Sequence, residues 1–457
     1  MTHNVSTSPA TEPAVRLADP ARPTLVGSVL VATVGSVGDM HPFLGLGQAL
    51  QRQGQDVRFM ASPVHAARVH DSGLAFQPMG SAASFEAVAD DPALWDPRTA
   101  MTVFWRGLRS SLQALPEAAL ALPADRPATL LVHPLLLPSA DLARARRPGL
   151  RVVAAWLAPH NLRSCHDPLM VGPLRIPRWV PMALRRGLWR RIDRRFIDPA
   201  CLPELNAARA DAGLAPVAHF MPHLNAVADQ SVTLFPDWFA ATPPDWPQPL
   251  LRGSFPLFEP AADAALSNEV RGFLAAGDPP VVVTLGTFQR HGGPLLAQVV
   301  TAARALGRRT LVLAADRTQV PLPPADDWLW QPYVPLHLLL PHAAALVHHG
   351  GIGTTAEALR AARPQLVLPW AFDQFDNAQR VVALGAGQTL PSRRLRPDRL
   401  LQSLRQLLGS SAMAAACQAC ATALAADPGL DELCAQLWST PALDLPQHPP
   451  GGPAERA

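Results

Sequence analysis

The segment His349-Gly350-Gly351-Ile352-Gly353-Thr354-Thr355-Ala356-Glu357 and the later dipeptide Asp373-Gln374 are the most informative parts of this chain. Residues 343–347, just before the segment, form an apolar run typical of a buried parallel strand, and an Ala- and Leu-rich helical stretch follows it. Glycines let the backbone approach a ligand closely, and the free N–H groups of a helix's first turn attract phosphate groups. The spacing therefore predicts a diphosphate site at a strand-to-helix turn.

Polar side chains in and after this turn extend the predicted site. His349 and the hydroxyls of Thr354 and Thr355 supply further donors, while Glu357 lies one turn into the helix, where it can accept hydrogen bonds from a ribose. Asp373-Gln374, at the end of the next strand, suits hexose hydroxyls. A glycine turn that only packs a helix on a sheet is the structural alternative, but the full spacing favours ligand binding.

This spacing resembles the signature of nucleotide-sugar-dependent glycosyltransferases of the GT-B fold, H-x-G-x-x-[ST]-x-x-E followed by D-Q. The resemblance implies an α/β chain of two doubly wound Rossmann-like domains with an interdomain cleft. Tyr333 lies where that family places the nucleobase, with core packing as the alternative. The nucleotide-sugar-binding residues predicted in this way are Gly38, Gly286, Thr287, Tyr333, Val334, His349, Gly351, Gly353, Thr354, Glu357, Asp373 and Gln374.

The rest of the chain fits two domains, because 457 residues with 48% hydrophobic content can bury two cores. Strand-like runs alternate with helical stretches, as in parallel sheets, and fall at residues 24–33, 56–60, 128–132, 152–156, 231–235, 281–285, 310–313, 345–347 and 365–368. We predict a disordered tail (1–23), an N-terminal acceptor-binding domain (24–242), a Pro-dense linker (243–254), a nucleotide-sugar-binding domain (255–440) and a second disordered tail (441–457). The resemblance implies that residues 412–437 form a helix crossing back to the first domain.

Composition excludes several other classes of protein. The formal charge of +3 gives no argument for nucleic acid binding, and five cysteines form no disulfide framework. The pair Cys417 and Cys420 lies in an Ala-rich helical stretch, which favours packing over metal binding. Without a signal-peptide core or a membrane-length apolar run, the sequence predicts a cytoplasmic protein. It contains no Asp-x-Asp motif, so we predict no metal and no cofactor.

The loop after the first strand, residues 35–42, is the predicted catalytic region, since open parallel sheets bind ligands at the carboxyl ends of their strands. Inverting relatives place a general base, often a His, three residues before a proline, and here that position holds Asp39, before Pro42. The alternative role for Asp39 is to cap a helix that starts near Pro42. His133, after a later strand, stands where relatives have an orienting Asp, so the two residues are predicted to exchange roles; ordinary packing of His133 is the alternative.

Several strings narrow the resemblance to the rhamnosyltransferases of bacterial mono-rhamnolipid synthesis, among them Asp245-Trp246-Pro247-Gln248-Pro249-Leu250 and Phe372-Asp373-Gln374-Phe375-Asp376-Asn377-Ala378. This implies inverting transfer of L-rhamnose from dTDP-rhamnose to the hydroxyl of a 3-(3-hydroxyalkanoyloxy)alkanoate. Glu357 departs from that pattern, because relatives that use uridine nucleotides aim it at a ribose 2′-OH. A UDP-glucose-dependent glucosyltransferase therefore remains an alternative. A nucleotide-sugar 2-epimerase is a second one, because such enzymes share the double-sheet architecture and hold the same diphosphate.

Residues 180–196 combine a four-residue apolar repeat, made by Leu184, Leu188, Ile192 and Phe196, with many arginines. This pattern is typical of a helix that lies on an anionic membrane surface, although an ordinary surface helix shows it too. The pattern predicts either peripheral contact with the inner membrane or a point of entry for the acceptor. A partner protein that supplies the lipid is the other predicted partner.

Overall fold

The computed structural model describes residues 27–166, 169–257, 265–286 and 292–439. Both predicted tails, Thr287 and the start of the predicted first strand lie outside these ranges. The strands are β1 (Ser28–Ala32), β2 (Asp56–Ala61), β3 (Ala75–Pro78), β4 (Ala128–Val132), β5 (Arg151–Trp156), β6 (Leu169–Val171), β7 (Leu174–Ile176), β8 (Gln230–Thr233), β9 (Leu250–Arg252), β10 (Val281–Thr284), β11 (Thr310–Leu313), β12 (Trp328–Gln331), β13 (Ala345–His348), β14 (Gln365–Val367) and β15 (Gly387–Thr389).

Helices connect and cover these strands. They are α1 (Val37–Arg52), α2 (Ala66–Asp71), α3 (Ala82–Ala89), α4 (Ala100–Leu108), α5 (Ser111–Leu120), α6 (Leu137–Arg146), α7 (Pro159–Leu162), α8 (Met182–Ile192), α9 (Asp198–Asp211), α10 (Phe220–Val227), α11 (Asn268–Ala275), α12 (Gly293–Ala305), α13 (Leu336–Leu339), α14 (Ile352–Arg360), α15 (Gln374–Ala383), α16 (Pro397–Gly409), α17 (Ser411–Ala426) and α18 (Leu430–Ser439). A π-helical turn, Asp193–Ile197, joins α8 to α9.

Two parallel sheets organise the molecule. The first has the order β3-β2-β1-β4-β5-β8-β9 and the second the order β12-β11-β10-β13-β14-β15, so each reverses direction beside its own first strand. Alternate residues of the central strands enter separate buried clusters on the two faces, as Leu30 and Val31 of β1 do. Burial on both faces explains the unbroken apolar runs in the sequence. The predicted architecture of two doubly wound Rossmann-like domains is confirmed.

The structure corrects several predicted boundaries. Helix α1 begins at Val37, not near Pro42, which lies inside it. Strand β9 pairs with β8 at the edge of the first sheet, so that sheet extends into the range predicted as linker. The predicted terminal helix is two helices: α17 packs against α14 of the second domain, and α18 packs against α1 of the first.

The cysteines pack as predicted from the sequence. All five are free and buried, and the Cys417 thiol donates to the carbonyl oxygen of Ala386. Burial raises the pKa of Cys417 to about 11, which keeps the unreactive thiol form. No single described helix is long and apolar enough to cross a bilayer; α16 and α17 meet that requirement only when taken together across a bend of 67°.

Candidate active site

A cavity of about 550 Å³ lies between the two sheets and is lined by residues of both domains. Carboxyl ends of strands from both sheets meet there, among them those of β1 and β4 in the first sheet and β10 and β13 in the second. These pairs flank the points at which each sheet reverses its strand order, which is where doubly wound folds bind ligands. Paired registers, Ala32 with Val132 and Thr284 with His348, bring the loops that follow them side by side.

Asp39 occupies the third position of α1 and faces this cavity. Its Oδ2 accepts hydrogen bonds from the Ser36 backbone N–H at 2.7 Å and from the Ser36 hydroxyl at 2.9 Å. Burial raises the pKa of Asp39, and the Ser36 hydrogen bonds partly oppose that shift. The Ser36-to-Asp39 spacing is a capping box, a sequence signal that places the helix start before Pro42. Asp39 therefore supports the helix end and lines the cavity as well.

His133 also lines the cavity but has its own local role. Its Nδ1 accepts a hydrogen bond from the Leu135 N–H, so the neutral ring carries its proton on Nε2. Burial lowers the pKa of His133 to about 4. Among the residues that the structure describes, Asp39 and His133 form no hydrogen bond with each other, so the predicted pair is not directly joined here. His133 therefore has a neutral Nε2–H donor and lines the same cavity as Asp39.

His65, which motif analysis did not select, holds the loop that carries Asp39. Its Nε2 lies 3.2 Å from the carbonyl oxygen of Gly35, and since a carbonyl only accepts, Nε2–H is the donor. The ring packs edge-on against Phe85, with centroids 5.4 Å apart. Gly35 has a φ of +103°, which explains why this turn uses glycine. No sequence motif marks His65, because its partner is 30 residues away.

His349 lies in a slot formed by two glycines. A Cβ at Gly286 would come within 2.8 Å of the His349 ring, and one at Gly351 within 2.6 Å of its Nε2. Gly286 also has a φ of +83°, so both positions require glycine. Burial lowers the pKa of His349 to about 4, and the neutral ring's Nδ1 is buried without a hydrogen-bond partner among the described residues. The second domain thus places an imidazole beside the start of α14.

Helix α14 starts after Gly351 and points its first turn into the cavity, where Gly353 and Thr354 are lining residues. Thr355 is fully buried and does not line the cavity, so its predicted donor role is wrong. Its side chain lies on the face of α14 that packs into the protein. Glu357 lines the cavity, and its Oε2 accepts a hydrogen bond from Arg360 Nη2 at 2.6 Å.

Asp373 and Gln374 both line the cavity but have different hydrogen-bond partners. Burial raises the pKa of Asp373 to about 7, opposed by a hydrogen bond from Asn377 Nδ2 at 2.8 Å and reinforced by the charge of Asp39. Gln374 uses its Oε1 to accept the backbone N–H groups of residues 370 and 371, at 2.9 and 3.2 Å. Any contact of Gln374 with a sugar therefore passes through its amide nitrogen.

The remaining predicted residues line the same cavity where the structure describes them. Tyr333 is 58% exposed, so the packing alternative for it is wrong, whereas Val334 is buried at 5%. Gly38 lies at the exposed start of α1. Sequence reasoning missed an apolar wall contributed by the first domain: Met79, Phe85, Val88, Leu94, Trp95, Phe104, Leu108 and Leu135.

Both domains that line this cavity match known protein families. Residues 29–121 match the glycosyltransferase family 28 N-terminal domain, and residues 322–439 match the erythromycin biosynthesis protein CIII-like C-terminal domain. The dTDP-epi-vancosaminyltransferase of Amycolatopsis orientalis is 30% identical over 368 residues, which cover 79% of this chain and 84% of that protein. The O-mycaminosyltylonolide 6-deoxyallosyltransferase of Streptomyces fradiae is 28% identical over 450 residues, covering 93% and 100%.

The fold agrees with these matches. A crystal structure of the glycotransferase of kitacinnamycin superimposes with a TM-score of 0.67 at 21% identity, covering 90% of this chain and 98% of that one. The chain is therefore a glycosyltransferase of the GT-B fold that uses a nucleotide-sugar donor. Within that class it belongs to the EryCIII-like family. The narrower resemblance to rhamnolipid enzymes stays a prediction.

Proposed function

We propose that this enzyme transfers a 6-deoxyhexose, with inversion, from a dTDP-sugar to a hydroxyl group of a hydrophobic acceptor. One observation supports this above the others: Asp39 and the glycine-rich turn before α14 line a single cavity whose first-domain wall is apolar. A 2-epimerase needs no such acceptor wall. The established family argues against that alternative as well.

The proposed reaction uses groups already in place. The Asp39 carboxylate takes the proton of the acceptor hydroxyl while that oxygen bonds to the anomeric carbon from the face opposite the diphosphate. The bond from the anomeric carbon to the diphosphate oxygen breaks, and the diphosphate leaves with the electron pair. The first-turn N–H groups of α14, with Thr354 and His349, stabilise its charge, so we propose that no metal ion is required.

The proposed donor is dTDP-L-rhamnose. Support comes from relatives named for a dTDP-sugar and a 6-deoxyallosyl group. Glu357, which lines the cavity and accepts a hydrogen bond from Arg360, is compatible with either nucleotide. The competing donor is UDP-glucose, since the vancomycin aglycone glucosyltransferase of Amycolatopsis orientalis is 30% identical over 365 residues.

The proposed acceptor is a hydroxyacyl lipid, because the first-domain wall offers apolar side chains along its length and polar groups near Asp39. Such a wall also suits the antibiotic aglycones for which relatives are named. The two acceptors place the reacting hydroxyl beside the same carboxylate. They differ in whether a flexible acyl chain or a rigid ring system packs against the apolar wall.

A thermal-shift titration with dTDP, UDP, dTDP-L-rhamnose and UDP-glucose tests the donor. We expect dTDP and dTDP-L-rhamnose to stabilise the protein more than the two uridine ligands do. The effect is measurable, because a ligand that binds only the folded state at about 100 times its Kd adds roughly 2.7 kcal/mol. Glu357→Ala should leave dTDP binding unchanged, because deoxyribose has no 2′-OH. Stronger stabilisation by the UDP pair, lost in Glu357→Ala, would instead support a UDP-glucose donor. Product analysis with a 3-hydroxyacyl lipid and with an aromatic aglycone then separates the acceptors.

We also propose peripheral contact with an anionic membrane, on a surface different from the predicted one. Leu188, Ile192 and Phe196 are only partly exposed, and Arg185 is buried at 3%, where it donates to three carbonyl oxygens. The exposed large apolar residues of this region are Leu174 (65%), Trp179 (82%) and Leu184 (63%). Exposed arginines accompany them at positions 175, 178, 186, 190 and 191.

Sedimentation with vesicles tests this contact. Changing Arg186, Arg190 and Arg191 to Gln should weaken binding to anionic vesicles about 100-fold, at about 1 kcal/mol per arginine near the surface. The matched control changes three arginines exposed elsewhere, Arg271 on α11 and Arg399 and Arg405 on α16, to Gln and should bind as wild type does. If the wild-type protein binds no anionic vesicle at low salt, the proposed membrane contact is wrong. The same surface should then be tested for binding of a lipid-supplying partner protein.

A further inference from the structure

Phe372, directly before Asp373, has an unusual backbone conformation. Its φ is +56°, in the left-handed region that bulky residues rarely adopt, and it is one of three such non-glycine residues among those described. A strained residue keeps this conformation only where its surroundings hold it, and such residues concentrate at functional sites. Here the strain lies in the loop that positions the Asp373 carboxylate.

The contacts that hold Phe372 come from the other domain. Its ring lies against Trp95, with centroids 5.7 Å apart, and edge-on to Phe104, with centroids 5.3 Å apart. Trp95 ends the 3₁₀ turn Pro92–Trp95, and Phe104 lies on α4. All three rings line the cavity. Phe372 is therefore an aromatic bridge from the donor-binding domain to the acceptor wall.

Neighbouring contacts hold both sides of this bridge. Arg393 of the second domain donates from Nη2 to the Trp95 carbonyl oxygen at 2.9 Å. On the other side, Gln374 holds the backbone N–H groups of residues 370 and 371. Gln374 thus holds the loop that carries Phe372, and Arg393 holds the wall at Trp95. The ring contacts of Phe372 connect the two.

We infer that Phe372 is a positioning and specificity-determining residue: its ring forms the acceptor wall and, through its contacts with Trp95 and Phe104, aims Asp373 at the donor sugar. This inference rests on the proposed function and names a residue shared by its two subsites. The nucleoside diphosphate binds elsewhere, at α14 and Tyr333. Loss of the ring should therefore weaken sugar binding and acceptor binding while leaving nucleotide binding intact.

Phe372→Gly tests the ring separately from the backbone, because glycine adopts a φ of +56° without strain. We expect the Kd of dTDP to stay within about 2-fold of wild type. The Kd of dTDP-L-rhamnose and the KM of a 3-hydroxyacyl lipid acceptor should each rise about 10-fold, the scale of two aromatic contacts. Trp95→Leu should raise the acceptor KM similarly, although it lies outside the loop. Ala362→Gly, at another left-handed position with φ +53°, is the matched control and should change neither constant.

Unchanged sugar and acceptor constants in Phe372→Gly would overturn the inference, as would an equal loss of dTDP affinity, which indicates a general structural role.

A measurement without ligand separates this inference from the assignment of the donor. The melting temperatures of Trp95→Leu, Phe372→Leu and the double variant should be non-additive if the bridge forms. Additive shifts contradict the bridge, whereas failure of dTDP and dTDP-L-rhamnose to bind wild type contradicts the proposed donor alone.

Discussion

Replacing Asp39 with Asn should lower kcat of glycosyl transfer by about 10² to 10⁴, the usual contribution of a general base. The amide has the shape of the carboxylate, and its oxygen can still accept the two Ser36 hydrogen bonds that start α1. The helix should therefore stay as in wild type, and so should the Kd of the donor at about pH 9, where the Asp373 carboxyl is ionised with or without the Asp39 charge. Steady-state kinetics, with donor binding measured by calorimetry, checks both expectations.

Two variants make this result specific. Ser36→Ala removes the 2.9 Å hydrogen bond that stabilises the Asp39 carboxylate, so the pKa of Asp39 should rise and the acid limb of the pH–rate profile should move to higher pH. His133→Ala, alone and combined with Asp39→Asn, tests the predicted pairing, since members of one proton-transfer unit give non-additive losses. A decrease in kcat of less than about 3-fold in Asp39→Asn would show that Asp39 only stabilises the start of α1.

The parts of the fold that sequence predicts well are those set by local pattern. Central strands such as β1, β4 and β10 are buried on both faces, so each appears in the sequence as an apolar run. Edge strands have no such signal: β3 is partly exposed, and β15 contains Gly387, Gln388 and Thr389. Their strand conformation depends on hydrogen bonds to a neighbouring strand, which a local pattern does not contain.

The same division applies to the site. The turn that we propose binds the diphosphate is predictable because its residues are consecutive from His349 to Glu357. The bridge between Phe372 and Trp95 joins positions far apart in sequence, and the direction of the Thr355 and Arg185 side chains depends on what their helices pack against. Residues that act through contacts between domains need the three-dimensional structure to be recognised.

Asp373→Asn should weaken binding of the nucleotide-sugar by about 10² or more, while binding of the nucleoside diphosphate stays unchanged. An ionised carboxylate accepts charge-assisted hydrogen bonds from two sugar hydroxyls, each worth roughly 1.5–3 kcal/mol, which a neutral amide does not match. Because the pKa of Asp373 is about 7, sugar binding by wild type should weaken as pH falls through 7. Calorimetric titrations with both ligands across that range measure the effect.

The charge of Asp39 contributes to that midpoint and gives the matched variant. Since this charge raises the pKa of Asp373, Asp39→Asn should move the midpoint of sugar binding to lower pH, and Asp373→Asn should abolish the pH dependence. A midpoint unmoved in Asp39→Asn would contradict electrostatic coupling across the cleft.

Stability should change in the opposite direction from binding. A carboxyl whose pKa is raised on folding, from 3.8 to about 7, destabilises the folded state increasingly as pH rises through that window. Asp373→Asn should therefore raise the melting temperature at pH 8 and have little effect near pH 4. A variant that is no more stable at pH 8 than wild type would show that the folded protein holds Asp373 ionised without penalty. The ordinary pKa of Asp would then describe this site, and the pH dependence of sugar binding would need another group.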